Sequence, residues 1–119
     1  MTPEEIKRKR ANSILRELIP EAFHRLGDEQ LRGLTVVEVV CSKGRNDADV
    51  YLDATGIDKD EQRTILKKLK KVTRGIEAYC LNAEGWYKSP RFHFKFDQEL
   101  DRIKRMDELF MKIEKELNR

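Results

Sequence analysis

Cysteine and histidine are scarce in this chain of 119 residues, with two of each, and long apolar runs are missing altogether. Cys41 and Cys80 stand far apart and in no zinc-like spacing, which excludes a disulfide framework or a metal knot and leaves two reduced thiols. Nowhere do the ~18 consecutive apolar residues of a membrane span occur, and the charged stretch from Glu4 to Arg10 offers no apolar core for a signal peptide. The expectation is a cytoplasmic protein with no membrane partner. His24 and His93 are the only imidazole bases, one near the end of a helical stretch and one alternating with Arg91 and Lys95, so neither has the oriented partner that nucleophilic catalysis requires. Neither G-x-x-x-x-G-K-[ST] nor G-x-G-x-x-G is present. These absences argue against an enzyme, a bound cofactor, a metal and a small-molecule substrate.

Charge is what the chain has in quantity. Charged residues make up 39% of it, against about 25% in ordinary globular proteins. The 25 Lys and Arg nearly balance the 22 Asp and Glu, but not locally: residues 34–58 carry two basic and five acidic groups, and residues 59–97 carry ten and five. A polyanion responds to that asymmetry and not to the average.

Hydrophobic spacing organises the chain as one α+β domain over residues 1–119. Ile6, Ala11, Ile14, Leu15, Leu18, Phe23 and Leu26 define an amphipathic helix over residues 2–26, with Thr2 as N-cap and Pro3 at its first position. Pro20 removes an N–H from this helix and predicts a kink or a restart. Valine-rich residues 34–42 and alternating residues 48–55 read as strands joined by the turn residues 43–47, an antiparallel hairpin. Residues 58–82 return to helical spacing through Ile65, Leu66, Leu69, Val72, Ile76, Tyr79 and Cys80. Phe92, Phe94 and Phe96 alternate with Arg91, His93 and Lys95 in a third strand. Ile103, Met106, Phe110, Ile113 and Leu117 then mark a last helix, whose seam is too short for a coiled coil and is expected to dock on the domain's own core.

Within the second long helix, Arg63, Lys67, Lys68, Lys70, Lys71 and Arg74 follow one another with no acidic residue between them. Positions 63, 67, 70 or 71, and 74 share one side, opposite the apolar stripe. Solvated faces usually mix signs, as the last helix does, so an unmixed ridge points to phosphate contacts. Gly75 ends the ridge at a cost of about 1 kcal/mol relative to alanine, which calls for a reason: close helix packing, or a kink that brings backbone to a sugar-phosphate chain.

Four stretches together resemble the ribosome-binding factor A family of small-subunit assembly factors: Ile14-Leu15-Arg16-Glu17-Leu18, Leu34-Thr35-Val36-Val37-Glu38-Val39, Asp47-Ala48-Asp49-Val50-Tyr51-Leu52, and Pro90-Arg91-Phe92-His93-Phe94-Lys95-Phe96-Asp97. The last runs on to Arg105-Met106-Asp107-Glu108-Leu109, which is similar to the family's Arg-hydrophobic-acidic-Glu-Leu ending. The resemblance implies a KH-like fold of type II, a three-stranded sheet backed by helices in the order α-β-β-α(kink)α-β-α. The family's Ala-x-Gly kink matches Thr73-Arg74-Gly75 here. It further implies a non-catalytic monomer that binds the small (30S) ribosomal subunit and its 16S rRNA late in assembly and assists maturation of the rRNA 5′ end. On this reading Arg63, Lys67, Lys70, Lys71 and Arg74 contact phosphate and Gly75 forms the kink, with Lys7, Arg8, Lys9, Arg10, Arg45, Lys88 and Arg91 as secondary contacts. The rival reading is a protein-interaction module that dimerises through the amphipathic last helix.

Overall fold

Thr2 opens the first helix by accepting a hydrogen bond from the Glu5 N–H at 3.2 Å on its hydroxyl, and with Pro3 in the first turn α1 runs Pro3–His24. The computed structural model describes residues 2–97, so the expected last helix, with Ile103, Met106, Phe110, Ile113 and Leu117, lies outside the described residues. Of the kink or restart expected at Pro20, the restart does not occur: the helix is continuous across it. Only about one turn follows the proline, so a single backbone bond is lost there, while Ile19, Ala22 and Phe23 around it are buried and hold the turn against the core. The helix stops at His24, before the expected Leu26, and Asp28 then caps a four-residue helix α2 (Glu29–Arg32) by accepting from the Gln30 N–H at 2.9 Å.

Strands β1 (Val36–Cys41), β2 (Asp47–Asp53) and β3 (Arg91–Asp97) form one sheet in the order β1-β2-β3. The first pair is the expected antiparallel hairpin; β2 and β3 are parallel, joined by the crossover helix α3 (Lys59–Glu84). A bulge between Val36 and Glu38 places Val37 as an extra residue against Leu52 and Tyr51. It shifts the pleat by one position, so that Val36, Val39 and Cys41 all turn inward while Glu38 and Val40 face solvent.

Asp58 caps α3 by accepting from the Glu61 N–H at 2.8 Å, and Gly85, with φ of 65°, closes it in the left-handed conformation that glycine tolerates best. Between these caps the helix is unbroken. Gly75 does not divide it, and its φ is not positive, so the sequence expectation of two helices meeting at Thr73-Arg74-Gly75 is corrected to one. Val72 and Ile76 on either side pack on the core.

α1 and α3 cover one face of the sheet. Leu15, Ile19 and Phe23 from α1, Ile65, Leu69, Ile76 and Cys80 from α3, and Val50 and Leu52 from the central strand are fully or almost fully buried between the layers. Each helix also reaches past the core to an edge strand. Asn12 Oδ1 accepts from the Cys41 N–H at 2.7 Å on β1, and Glu77 Oε2 accepts from the Phe92 N–H at 3.0 Å on β3. Side chains of α1 and α3 thereby satisfy edge donors that would otherwise be open to strand pairing. The result is a KH-like α+β fold, a three-stranded sheet backed by helices.

Candidate nucleic-acid interface

The sheet's outer face is neutralised from within. The parallel register sets acidic β2 against basic β3, and His93 Nε2 lies 2.9 Å from Asp47 Oδ1 while Lys95 Nζ lies 3.3 Å from Asp49 Oδ1. The Lys95–Asp49 pair of opposite sign and the hydrogen-bonded His93–Asp47 pair stabilise such a face and reduce the net field over it. A polyanion gains little here.

The outer side of α3 is different. Its apolar stripe, Ile65, Leu69, Ile76 and Cys80, is buried, so the opposite side is held out to solvent, and Arg63, Lys67, Lys70, Lys71, Arg74 and Gly75 are all exposed. From Arg63 to Arg74 the ridge is about 16 Å long at the helical rise. Among the described residues, Lys67, Lys70, Lys71 and Arg74 make no ion pair and no side-chain hydrogen bond. Arg63 has one weak partner in Asp60, at 3.5 Å between two well-exposed side chains.

Lys68 belongs to the same run of sequence but not to the ridge. Its ammonium turns toward the α2 cap, 2.9 Å from Asp28 Oδ2 and 2.8 Å from Gln30 Oε1. The hydrogen bond from Lys68, aided by the Gln30 N–H, holds the Asp28 carboxyl below its ordinary value. The sequence reading left Lys68 out of its phosphate contacts, and the structure gives it this other employment.

Where α3 meets β3, a groove of about 350 Å³ lies beside the ridge, with Leu66, Leu69, Phe92 and Phe94 on its walls and Lys67, Lys70, Thr73 and His93 around them. Two ridge lysines therefore border an apolar surface. This combination suits a sugar-phosphate chain whose charged and less polar parts alternate.

Of the secondary candidates, the fold gathers Lys7, Arg10, Arg45 and Lys88 around two adjoining cavities at the other end of the molecule. Arg8, half-buried, and exposed Lys9 lie on the same helix without lining either cavity, and Arg91 begins β3 with its N–H bonded to the Asn46 carbonyl at 3.0 Å. Sequence reasoning missed Trp86 and Tyr87 at this place. The signal available was an aromatic pair followed by a lysine just past the helix-ending Gly85.

The two thiols and His93 are engaged or enclosed, while His24 is exposed at the end of α1. Both thiols are buried; burial pushes the Cys80 thiol up to about 12, with Glu21 and Glu77 adding to the effect, and burial raises Cys41 against the opposing influence of Arg45 and Arg8. Among the described residues no three His, Cys, Asp or Glu side chains converge to hold a metal ion, and no helix is long and apolar enough to cross a membrane.

Comparison with known proteins gives this arrangement a family. A family model described as ribosome-binding factor A matches residues 7–110. The ribosome-binding factor A of Campylobacter jejuni is 52% identical over 118 residues, covering 99% of this chain and 98% of its own length, and that of Wolinella succinogenes is 46% identical over 116 residues, covering 98% of each. A solution structure of a Thermotoga maritima protein described as a putative ribosome binding factor A superposes with a TM-score of 0.69 at 24% identity, over 83% of this chain and 93% of that one. The Thermus thermophilus factor, as fitted into a cryo-EM map of its complex with the 30S subunit, superposes with a TM-score of 0.58 at 25% identity, over 70% of this chain and 87% of that one. With relatives so similar along almost its whole length, this chain belongs to the ribosome-binding factor A family.

Proposed function

We propose that this protein is a non-catalytic assembly factor that binds the small ribosomal subunit through 16S rRNA, with Lys67, Lys70, Lys71 and Arg74, and Arg63 more weakly, lying along the phosphate chain. The observation that carries the reading is the ridge itself, a row of exposed cations on one helix of which Lys67, Lys70, Lys71 and Arg74 have no carboxylate partner among the described residues. Neutralising several phosphates at once releases their counterions, the main source of affinity for structured RNA that is not read by sequence. The fitted 30S complex of the Thermus thermophilus relative supports the choice of partner. In this role the protein acts as a monomer and assists maturation of the rRNA 5′ end, the cleavage being the work of a nuclease on the assembling particle.

Sedimentation with purified subunits tests the proposal. The full chain is expected to pellet with 30S and not with 50S subunits and to run as a monomer when free. Equal association with both subunits, or a stable dimer that ignores RNA, would overturn it.

A further inference from the structure

Three segments distant in sequence meet beyond the end of the sheet: the N-terminal half of α1, the turn between β1 and β2, and the loop that follows α3. There Arg45, Asn46, Trp86, Tyr87 and Lys88 line a cavity of about 260 Å³, and Lys7, Arg10, Arg45 and Trp86 line a second of about 280 Å³. Arg45, Trp86 and Ala11 border both, so the two form one recess. Among the described residues no acidic side chain lines it; the nearby Glu4 is engaged with the turn, its Oε1 accepting from the Gly44 N–H at 3.0 Å.

The two aromatic side chains differ in a telling way. Trp86 is half-buried and packs on the core, which fixes its position, whereas Tyr87 is fully exposed at 103% of its reference area. A solvated tyrosine beside a fixed tryptophan and four cations leaves apolar ring surface uncovered in a positive field. Arg45 sits in the tight turn between β1 and β2, where φ of 57° follows the 83° of Gly44, and that turn holds the arginine at the mouth of the recess.

We propose that this recess is a second RNA contact, which takes one unpaired nucleobase against Tyr87 and Trp86 while the flanking phosphates lie on Lys7, Arg10, Arg45 and Lys88. Bases within a duplex are stacked on one another and cannot reach the rings, whereas unpaired bases stack on aromatic side chains whatever their sequence. The inference rests on the reading of the protein as an rRNA-binding factor but uses none of the α3 residues.

Trp86 is the chain's only tryptophan, so its emission reports on the recess directly. The full chain is titrated with a ten-nucleotide oligouridylate, with an RNA duplex of the same length, and with polyglutamate as an acidic peptide. The oligouridylate is expected to quench the emission to saturation, less strongly as salt rises, while duplex and polyglutamate leave it unchanged. Tyr87→Ala should weaken the oligouridylate effect about tenfold, as loss of one stacked base requires, with an unaltered melting temperature. The Lys67, Lys70 and Lys71 triple glutamine variant should quench normally even where it no longer binds 30S subunits, so that the two readings fail in different variants. Absence of quenching, equal quenching by duplex or polyglutamate, or wild-type behaviour of Tyr87→Ala would overturn the proposal.

Discussion

Lys68 Nζ and Asp28 Oδ2 lie 2.9 Å apart, and this contact ties the middle of α3 to the cap of α2 while removing one cation from an otherwise continuous basic run. Lys68→Gln should therefore behave unlike its neighbours: binding to 30S subunits nearly unchanged, and only a small loss of stability for so solvated a pair. The loss has a pH signature. Because the Lys68 hydrogen bond holds the Asp28 carboxyl below its ordinary 3.8, its stabilisation is present above that pH and disappears as pH falls through the lowered value. Urea unfolding of both proteins from neutral to acid pH should show the difference shrinking below pH 3.8; a difference that grows there would contradict the assignment.

Gly75 offers a test of opposite sign to the one its family motif suggests. A Cβ built at this position meets nothing within 4 Å among the described residues, and the φ is not positive. Gly75→Ala should then raise stability by about 0.5–1 kcal/mol, through helix propensity and a less disordered unfolded chain. A destabilised variant in thermal or denaturant unfolding would mean that Gly75 serves a backbone geometry that alanine cannot adopt.

The legible parts of this molecule are those written in long periods. The stripe and ridge of α3 repeat through 26 residues, and three phenylalanines alternate in β3, so both elements and their buried faces follow from spacing alone. What could not be read was short or distant. The four-residue α2 has no period to detect, and the Val37 bulge is hidden because Val36, Val37, Val39 and Val40 look alike on either face. The sequestration of Lys68 depends on Asp28 and Gln30, well outside α3, and the recess around Trp86 exists only once α1, the β-turn and the loop after α3 converge. Neither Pro20 nor Gly75 breaks its helix, for one reason: the local cost at each is outweighed by the packing of Ile19, Phe23 and Ile76 on the core.

The edge of the sheet supplies a stability prediction. Asn12→Ala would strip the Cys41 N–H of its partner at a partly buried position, leaving a donor unsatisfied. The expected cost is about 1–3 kcal/mol in denaturant unfolding. A loss below a few tenths would mean that water replaces Asn12 without penalty.

Cys80 makes a chemical prediction. Burial raises its thiol from an ordinary 9.0 to about 12, so the native state holds this proton more tightly than the unfolded chain does. The associated stabilisation is fully present below pH 9 and drains away as pH rises toward 12. Iodoacetamide at pH 8.5 should therefore leave Cys80 and the buried Cys41 unmodified in the native protein and label both in urea, as mass spectrometry would show. Rapid labelling of Cys80 without denaturant would contradict its burial.

Whether the α3 ridge meets phosphate is decided by the salt dependence of binding to purified 30S subunits, compared between the wild-type chain and a variant carrying Lys67→Gln, Lys70→Gln and Lys71→Gln. Each phosphate contact removed should lower the slope of log affinity against log salt by roughly 0.7–0.9, so the triple variant should lose about 2–3 units of slope and bind more weakly at low salt. Its melting temperature should stay close to that of the wild type, because all three side chains are exposed and none makes an ion pair with the described residues. An unchanged slope and affinity in the folded triple variant would mean that the ridge is an ordinary solvated face and that RNA is held elsewhere.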